Sequence, residues 1–300
     1  MVYTLTLNPA LDYVITLDGV KSEGINRVKK EKLYCGGKGI NVSRVLTSLG
    51  VENTALGFIA GFTGDELERR LKEDGIDCSF IRLKNGRTRI NVKMITPERY
   101  DINAAGPDVS EKEVEKLLKK LNDLRKGDFL VLSGSVPSTI PLDFYERILA
   151  QLEGKGVYVI VDAEGGLLLK TLKYRPFLIK PNHQELGDLF DIEAEDEAEV
   201  EKYAKELQRF GAENVLVSRA ENGALLADST NTITKAKNAK GKLINSTGCG
   251  DAMVAGFIAG FIKTGNYDYA LKLGTACGCA TAFSDDLATK PEIEKVLKAL

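Results

Sequence analysis

Gly248-Cys249-Gly250-Asp251 stands directly before an apolar run from 252 to 262. Two glycines around one small residue let the chain turn sharply and leave backbone N–H groups uncovered. At the start of a helix those groups point toward any anion in front of them. An aspartate in the same place opposes a permanent anion, because like charges repel. It fits a base that takes a proton while a phosphoryl group passes. It fits equally an aspartate that caps a buried helix.

Gly36-Gly37-Lys38-Gly39-Ile40-Asn41 is a second glycine-rich turn. Lys38 offers a point charge for a phosphate, and Asn41 a donor for a sugar hydroxyl. A tight turn with a solvated lysine is the plainer reading. The spacing is not that of a dinucleotide fingerprint, and no Gly-Lys pair is followed by Ser or Thr as a P-loop requires. In Lys180-Pro181-Asn182-His183-Gln184-Glu185, Asn182 and Glu185 share a face of a helical turn. Both are hard oxygen donors suited to magnesium held through water. His183, the single histidine, has no orienting neighbour and reads as a packing or surface residue. Ser133-Gly134-Ser135 follows a strand pattern, but without a GxSxG elbow or a second histidine a serine or Cys249 nucleophile is a poor reading.

These stretches need a scaffold, and the composition supplies one. Of 300 residues 43% are hydrophobic and 28% charged, enough for a sizeable core and unlike a disordered or fibrous chain. Lys and Arg number 41 against 43 Asp and Glu, so the net charge of -2 gives no electrostatic case for nucleic acid or an anionic membrane. The apolar run 252–262 is too short to span a bilayer and reads as a buried helix. Five cysteines without a CxxC pair, and one histidine, cannot build an ordinary zinc site. With no basic-then-apolar leader over residues 1–10, reduced thiols and a cytoplasmic protein are expected.

Strand patterns are expected near 2–7, 54–59, 129–132, 157–161, 177–179, 214–218 and 224–227. Helix patterns fall between most of them: 39–50, 65–74, 142–152 and 199–210. A capping box of Ser110 and Glu113 opens another helix, two follow Gly250, and Pro291 opens the last. This alternation predicts a mostly parallel sheet with helices on both faces. Residues 13–17 with 28–34, and 88–95 with 100–103, look like short strands without intervening helices. They read as a small sheet over a cleft or as plain edge hairpins. On the first reading residues 1-10, 36-86 and 106-300 form the main α/β domain, and 11-35 with 87-105 a discontinuous β-sheet lid.

Together the motifs resemble those of the ribokinase-like PfkB carbohydrate kinases over nearly the whole chain. Ser246 to Asp251 resembles the family's carboxyl-terminal signature, with Cys249 where alanine or another small residue is usual. Gly36 to Ser43 resembles the amino-terminal signature, and Lys180 to Glu185 the Lys-Pro-Asn-x-x-Glu motif. Thr4 to Asp12, Asp101 to Asn103 and Ser133 to Pro137 are similar to the sugar-phosphate branch. The run Arg89-Ile90-Asn91-Val92-Lys93 is similar to the lid strand of its 1-phosphofructokinases. Arg219 after Ser218 departs from the family, where an apolar residue is more usual.

The resemblance implies a three-layer αβα sandwich with a mostly parallel sheet and a small β-sheet lid. It implies ATP-dependent phosphorylation of D-fructose 1-phosphate at the C6 hydroxyl. The rivals are a tagatose-6-phosphate kinase or other sugar-phosphate kinase, and a non-catalytic sugar-phosphate-binding regulator. Asp251 would be the base, with the backbone of Gly248, Cys249 and Gly250 stabilising the transferred group. Asp12, Gly36, Gly37 and Asn41 would bind the sugar, and Lys38 and Arg89, with Ser135 or Asn103, its phosphate. Lys180, Asn182, Ser218, Gly223, Thr247, Gly248, Gly250 and Cys277 would border the nucleotide. Asn182 and Glu185 would hold Mg2+ through water. The expected partner is a phosphorylated ketohexose, with no nucleic acid and no membrane, in a monomer or a homodimer formed through the lid sheet.

Overall fold

Strands rich in Val, Ile and Leu alternate with amphipathic helices, and in the computed structural model, which describes residues 1–194 and 196–300, they stack in three layers. The first part of the chain gives β1 (Val2–Thr6), β2 (Ala10–Thr16), β3 (Lys30–Gly36), α1 (Lys38–Ser48), β4 (Asn53–Ile59) and α2 (Gly61–Glu73). Next come β5 (Asp77–Cys78), β6 (Ile81–Arg82), β7 (Arg89–Ile95), β8 (Arg99–Ile102), α3 (Glu111–Leu121), β9 (Phe129–Ser133) and α4 (Phe144–Leu152). The middle continues with β10 (Tyr158–Asp162), α5 (Gly165–Leu172), β11 (Leu178–Ile179), α6 (His183–Phe190), α7 (Glu197–Arg209) and β12 (Asn214–Ser218). The last part holds β13 (Ala224–Ala227), β14 (Ile233–Ala236), α8 (Cys249–Thr264), α9 (Tyr267–Ala282) and α10 (Lys290–Leu297).

The main sheet runs in the order β14-β13-β12-β11-β10-β9-β1-β4-β5, with β6 also on β4. It is parallel from β5 to β12, and β13 and β14 add an antiparallel edge. Alternation decides which face each residue meets. Leu130 and Leu132 pack with α3, α4 and α7, whereas Phe129 and Val131 pack with α1, α8 and α9. Every parallel strand therefore ends on the same rim, where ligands bind in open α/β sheets. No helix among the described residues is long and apolar enough to cross a membrane. All five cysteines are free thiols.

Strands from both excursions join in one four-stranded sheet, β3-β2-β7-β8, separate from the main one. β2 is parallel to β7 and antiparallel to β3, which places Asp12 between Tyr34 and Asn91. The hairpin alternative is thereby replaced by a continuous second sheet.

Several local expectations change. α2 begins at Gly61, not near 65, because a distant residue ties its start: the Ala60 N–H donates to Thr88 Oγ1 (3.0 Å), and Thr63 Oγ1 donates to the Thr88 carbonyl (2.7 Å). Ser110 donates to the Glu113 carboxylate and does not accept from its backbone, so no side chain caps α3. α5, α6 and β14 add elements that the periodicity did not resolve.

Candidate active site

The site starts at the amino end of α8. Gly248 precedes it in the left-handed region (φ 79°), a conformation that costs glycine nothing, and no side chain caps the first turn. Asp251 is the helix's third residue and is 6% exposed. Its Oδ2 accepts a hydrogen bond from Asn41 Nδ2 at 2.8 Å, reaching across to α1. The helix-cap reading of Asp251 is thus corrected: its carboxylate serves another element. Lys180, at the end of β11, completes the turn. A Cβ on Gly250 would lie 3.2 Å from Lys180 Nζ, so this ammonium stands at the first turn of α8.

Sequence reasoning missed Asp162. It ends β10 and is 2% exposed. Its Oδ1 lies 3.3 Å from Lys180 Nζ and 3.7 Å from Lys38 Nζ, while its Oδ2 is buried without a partner. Glu164 Oε1 reaches Lys38 at 3.6 Å. The available signal was an acid at the carboxyl end of a valine-rich strand, where ligands gather.

Burial and the neighbouring Asp162 charge push the Asp251 carboxyl up to about 6, against the Asn41 hydrogen bond and the two lysines. Burial pulls the Lys38 ammonium down, but Asp162, Asp251, Glu185 and Glu164 outweigh it and hold it above the ordinary lysine range. The result is an anion-attracting pocket of exposed backbone donors and two ammonium groups, with a carboxylate tuned toward neutral pH. Such a site can accept a proton and stabilise a phosphoryl group together.

The small sheet carries several of the residues expected to face a sugar. Asp12 Oδ1 accepts from Asn91 Nδ2 (2.9 Å), and Oδ2 lies 3.4 Å from Lys93 Nζ. A side chain at Gly36 would meet Asp12 Oδ2 at 2.5 Å, so only glycine leaves this carboxylate in place. Gly37 (φ 121°) then turns the chain into α1, with Lys38 and Asn41 in its first turn. Arg89 Nε donates to the Asn8 carbonyl (3.1 Å), and Nη1 to the Ala104 carbonyl (3.4 Å). Burial lowers its pKa, and no carboxylate among the described residues pairs with it directly. A cleft of about 470 Å³ runs between this sheet and the segment leading to α8, lined by Asp12, Asn41, Lys93, Arg99 and Thr247. A second cavity of about 240 Å³ is lined by Lys38, Ser135, Glu164 and Leu142. Asn103 is exposed and lines neither.

Of the residues expected to border a nucleotide, Ser218 bridges to Asn182 across adjacent chain segments. Gly223 (φ 85°) leaves no room for a side chain, since a Cβ would meet the Ala236 carbonyl at 2.1 Å. Cys277 is fully buried in the seam of α8 and α9, where a Cβ on Gly256 would meet its Sγ at 2.6 Å. Arg219 is buried rather than on the surface and pairs with Glu197 at 2.7 Å. Asn182 and Glu185 do share a face, but as a capping box: Asn182 Oδ1 accepts from the Glu185 N–H (2.7 Å) and Glu185 Oε2 from the Asn182 N–H (2.8 Å). No cluster of three His, Cys, Asp or Glu able to hold a metal occurs among the described residues. The donors left over, Glu185 Oε1 and the unpartnered Asp162 Oδ2, fit a hydrated cation arriving on phosphates better than a resident one.

The sequence pattern of the pfkB family carbohydrate kinases matches residues 5–293. The chain belongs to this family. Its PfkB relatives include the 1-phosphofructokinase of Bacillus subtilis, 42% identical over 99% of this chain and 97% of that protein. The D-tagatose-1-phosphate kinase of Bacillus licheniformis is 38% identical over 98% and 97%. The crystal structure of Escherichia coli phosphofructokinase-2 in complex with substrates and products superposes with a TM-score of 0.93 at 28% identity, covering 99% and 98% of the two chains. The ribokinase-like sandwich with its additional sheet is therefore the fold of this PfkB kinase, and its activity is that of a sugar kinase.

Proposed function

We propose that this PfkB kinase transfers the γ-phosphoryl group of ATP to the C6 hydroxyl of D-fructose 1-phosphate. The observation that carries the reading is Asp251, a buried carboxylate raised toward neutrality beside an uncapped helix start and bonded to Asn41, which lines the same cleft as Asp12. Asp12 and Asn41 hold the sugar hydroxyls. Arg89, held only by backbone carbonyls, and Lys38 take the acceptor's own phosphate, with Ser135 beside Lys38. Asp251 accepts the proton of the C6 hydroxyl as its oxygen bonds to the γ-phosphorus and the bond to ADP breaks, while the N–H groups from Gly248 to Gly250 and Lys180 hold the phosphoryl group in transit. Magnesium bound with the nucleotide would supply charge neutralisation, held through water by Glu185 Oε1 and Asp162 Oδ2, the oxygens that the capping box leaves free.

The 38% identical D-tagatose-1-phosphate kinase favours one second reading, with that ketose phosphate as acceptor. The decisive test compares kcat/KM for the 1- and 6-phosphates of fructose and tagatose. Fructose 1-phosphate should exceed each other sugar by about tenfold or more, the scale one well-placed polar contact supports. A higher value for tagatose 1-phosphate would transfer the assignment to it. No turnover with any of the four would sink the ketohexose-phosphate reading of the acceptor site.

The base assignment also fixes a pH dependence. Asp251 works ionised, so kcat/KM should fall about tenfold per unit below pH 6 and level off above it. In Asn41→Ala, loss of the donor that favours the carboxylate moves this acid limb to higher pH. A flat profile between pH 5 and 7 would count against Asp251 as the base.

We further propose a homodimer through the small sheet. Asp12, Asn91 and Asp101 face the cleft, so alternation puts Tyr13, Ile90, Val92, Tyr100 and Ile102 on the opposite face. Ile90, Tyr100 and Ile102 are exposed there, an apolar surface suited to its own copy. Light scattering should give twice the 32.7 kDa chain mass, and Ile102→Glu should give the monomer. A monomeric wild type at micromolar concentration would remove the dimer.

A further inference from the structure

We propose that Asn91 is a positioning residue that sets the sugar-facing carboxylate of Asp12 from the point where the chain leaves the small sheet. The proposal rests on the acceptor role given to Asp12 above. Asn91 lies on β7 and is 6% exposed. Its carboxamide is used on both sides. Oδ1 accepts from the Ala104 N–H at 3.2 Å, and Nδ2 donates to Asp12 Oδ1 at 2.9 Å. An amide has one accepting end and one donating end. Because a backbone N–H occupies the accepting end, the donating end must face Asp12.

The contact to Ala104 belongs to a wider set of bonds at the base of the sheet. Ala104 follows the end of β8, on the path back to the main body. Its carbonyl accepts from Arg89 Nη1, and the next carbonyl, of Ala105, accepts from Asn8 Nδ2 at 2.8 Å. Asn8 stands on the outward crossing from β1 to β2 and accepts from Arg89 Nε through its own carbonyl. The crossing from β1 to β2 and the return after β8 are thus bonded to each other, and Asn91 joins that junction to Asp12. With Oδ1 of Asp12 occupied by Asn91, Oδ2 is the oxygen beside Lys93 in the cleft. The substituents on β7 therefore choose which carboxylate oxygen meets the sugar.

The test uses the full-length enzyme and whichever of the four ketohexose phosphates the wild type turns over best. Asn91→Ala should raise the KM for that acceptor about tenfold, the scale of a hydrogen bond to a charged group. The KM for ATP should stay within about twofold, since no nucleotide-side group is touched. Asn91→Asp should be worse, because a second carboxylate then faces Asp12. Asp12→Ala and the double variant close a cycle. If Asn91 acts through Asp12, Asn91→Ala should add less than about twofold in the Asp12→Ala background. Direct calorimetric binding of the acceptor supplies the same cycle where turnover is too slow. Effects that multiply in full would overturn the proposal. So would equal rises in both KM values with a lowered Tm, the pattern of a residue that merely supports the sheet. A wild type that accepts none of the sugars would overturn the acceptor assignment first, and Asn91 with it.

Discussion

Asp251→Asn should lose about 100-fold to 10,000-fold in kcat, the usual range for removing a general base. Asparagine keeps the shape and can still accept from Asn41, so acceptor affinity should change much less. The loss should persist at saturating ATP and magnesium and with every acceptor, because the proton has to leave whichever sugar is bound. Stability should move the other way. The native carboxyl holds its proton up to about 6, above its unfolded range. The stability this protonation contributes is present at low pH and is lost as pH rises through 6. At pH 7 to 8 the buried ionised group therefore costs stability, and a neutral asparagine removes that cost. The variant's Tm should equal or exceed that of the wild type. Kinetics and thermal unfolding measured side by side decide the matter, and near-normal turnover would end the catalytic assignment.

Asp162→Asn should be the most destabilising of the conservative changes in the site. It leaves Lys180, 5% exposed, without the carboxylate 3.3 Å away, and weakens the hold on Lys38. Removing one member of a buried ion pair typically costs about 3–5 kcal/mol, because the other charge stays buried. That corresponds to a fall in Tm of roughly 5–8 °C for a chain of this size. Asp251 remains close and offsets part of the loss, so the lower end is expected. Added inorganic phosphate should raise the variant's Tm more than the wild type's, since an anion can take the place of the missing carboxylate between the lysines. With the Asp162 charge gone, the acid limb of the activity profile should also shift to lower pH. An unchanged Tm would show that the lysines need no counter-charge there.

What the sequence made legible was local or repetitive. Glycine turns, strand alternation and the Lys180 to Glu185 run declared themselves because a few adjacent residues carry the signal. The residues that escaped depend on contacts far along the chain. Asp162 became part of the site only when β10 settled between β9 and β11 and placed it beside Lys180 and Lys38. The start of α2 is set by Thr88, and no residue near 61 announces that. The position of Cys277 in an apolar helix did not say which face it takes, and its thiol packs toward Gly256. Asn182 and Glu185 were read correctly as neighbours, but spacing alone could not show that backbone amides had already taken two of their oxygens.

The two sheets divide the recognition groups unevenly. Asp12, Arg89, Asn91 and Lys93 all lie on β2 and β7 of the small sheet, whereas Asp162, Lys180 and Asp251 lie on the main body. Heritable change can therefore act on the two sets separately. Each of these strands has seven residues, and cleft-facing substitutions there leave the buried charge cluster around Asp251 untouched. Under the proposed roles, substitutions along β2 and β7 should retune the choice of sugar phosphate, with Asn41 and Lys38 of α1 left in place. A change at Asp162 or Lys180 should instead alter stability and turnover alike for every acceptor. Divergence of substrate range should thus be recorded in the small sheet, and loss of the kinase in the large one.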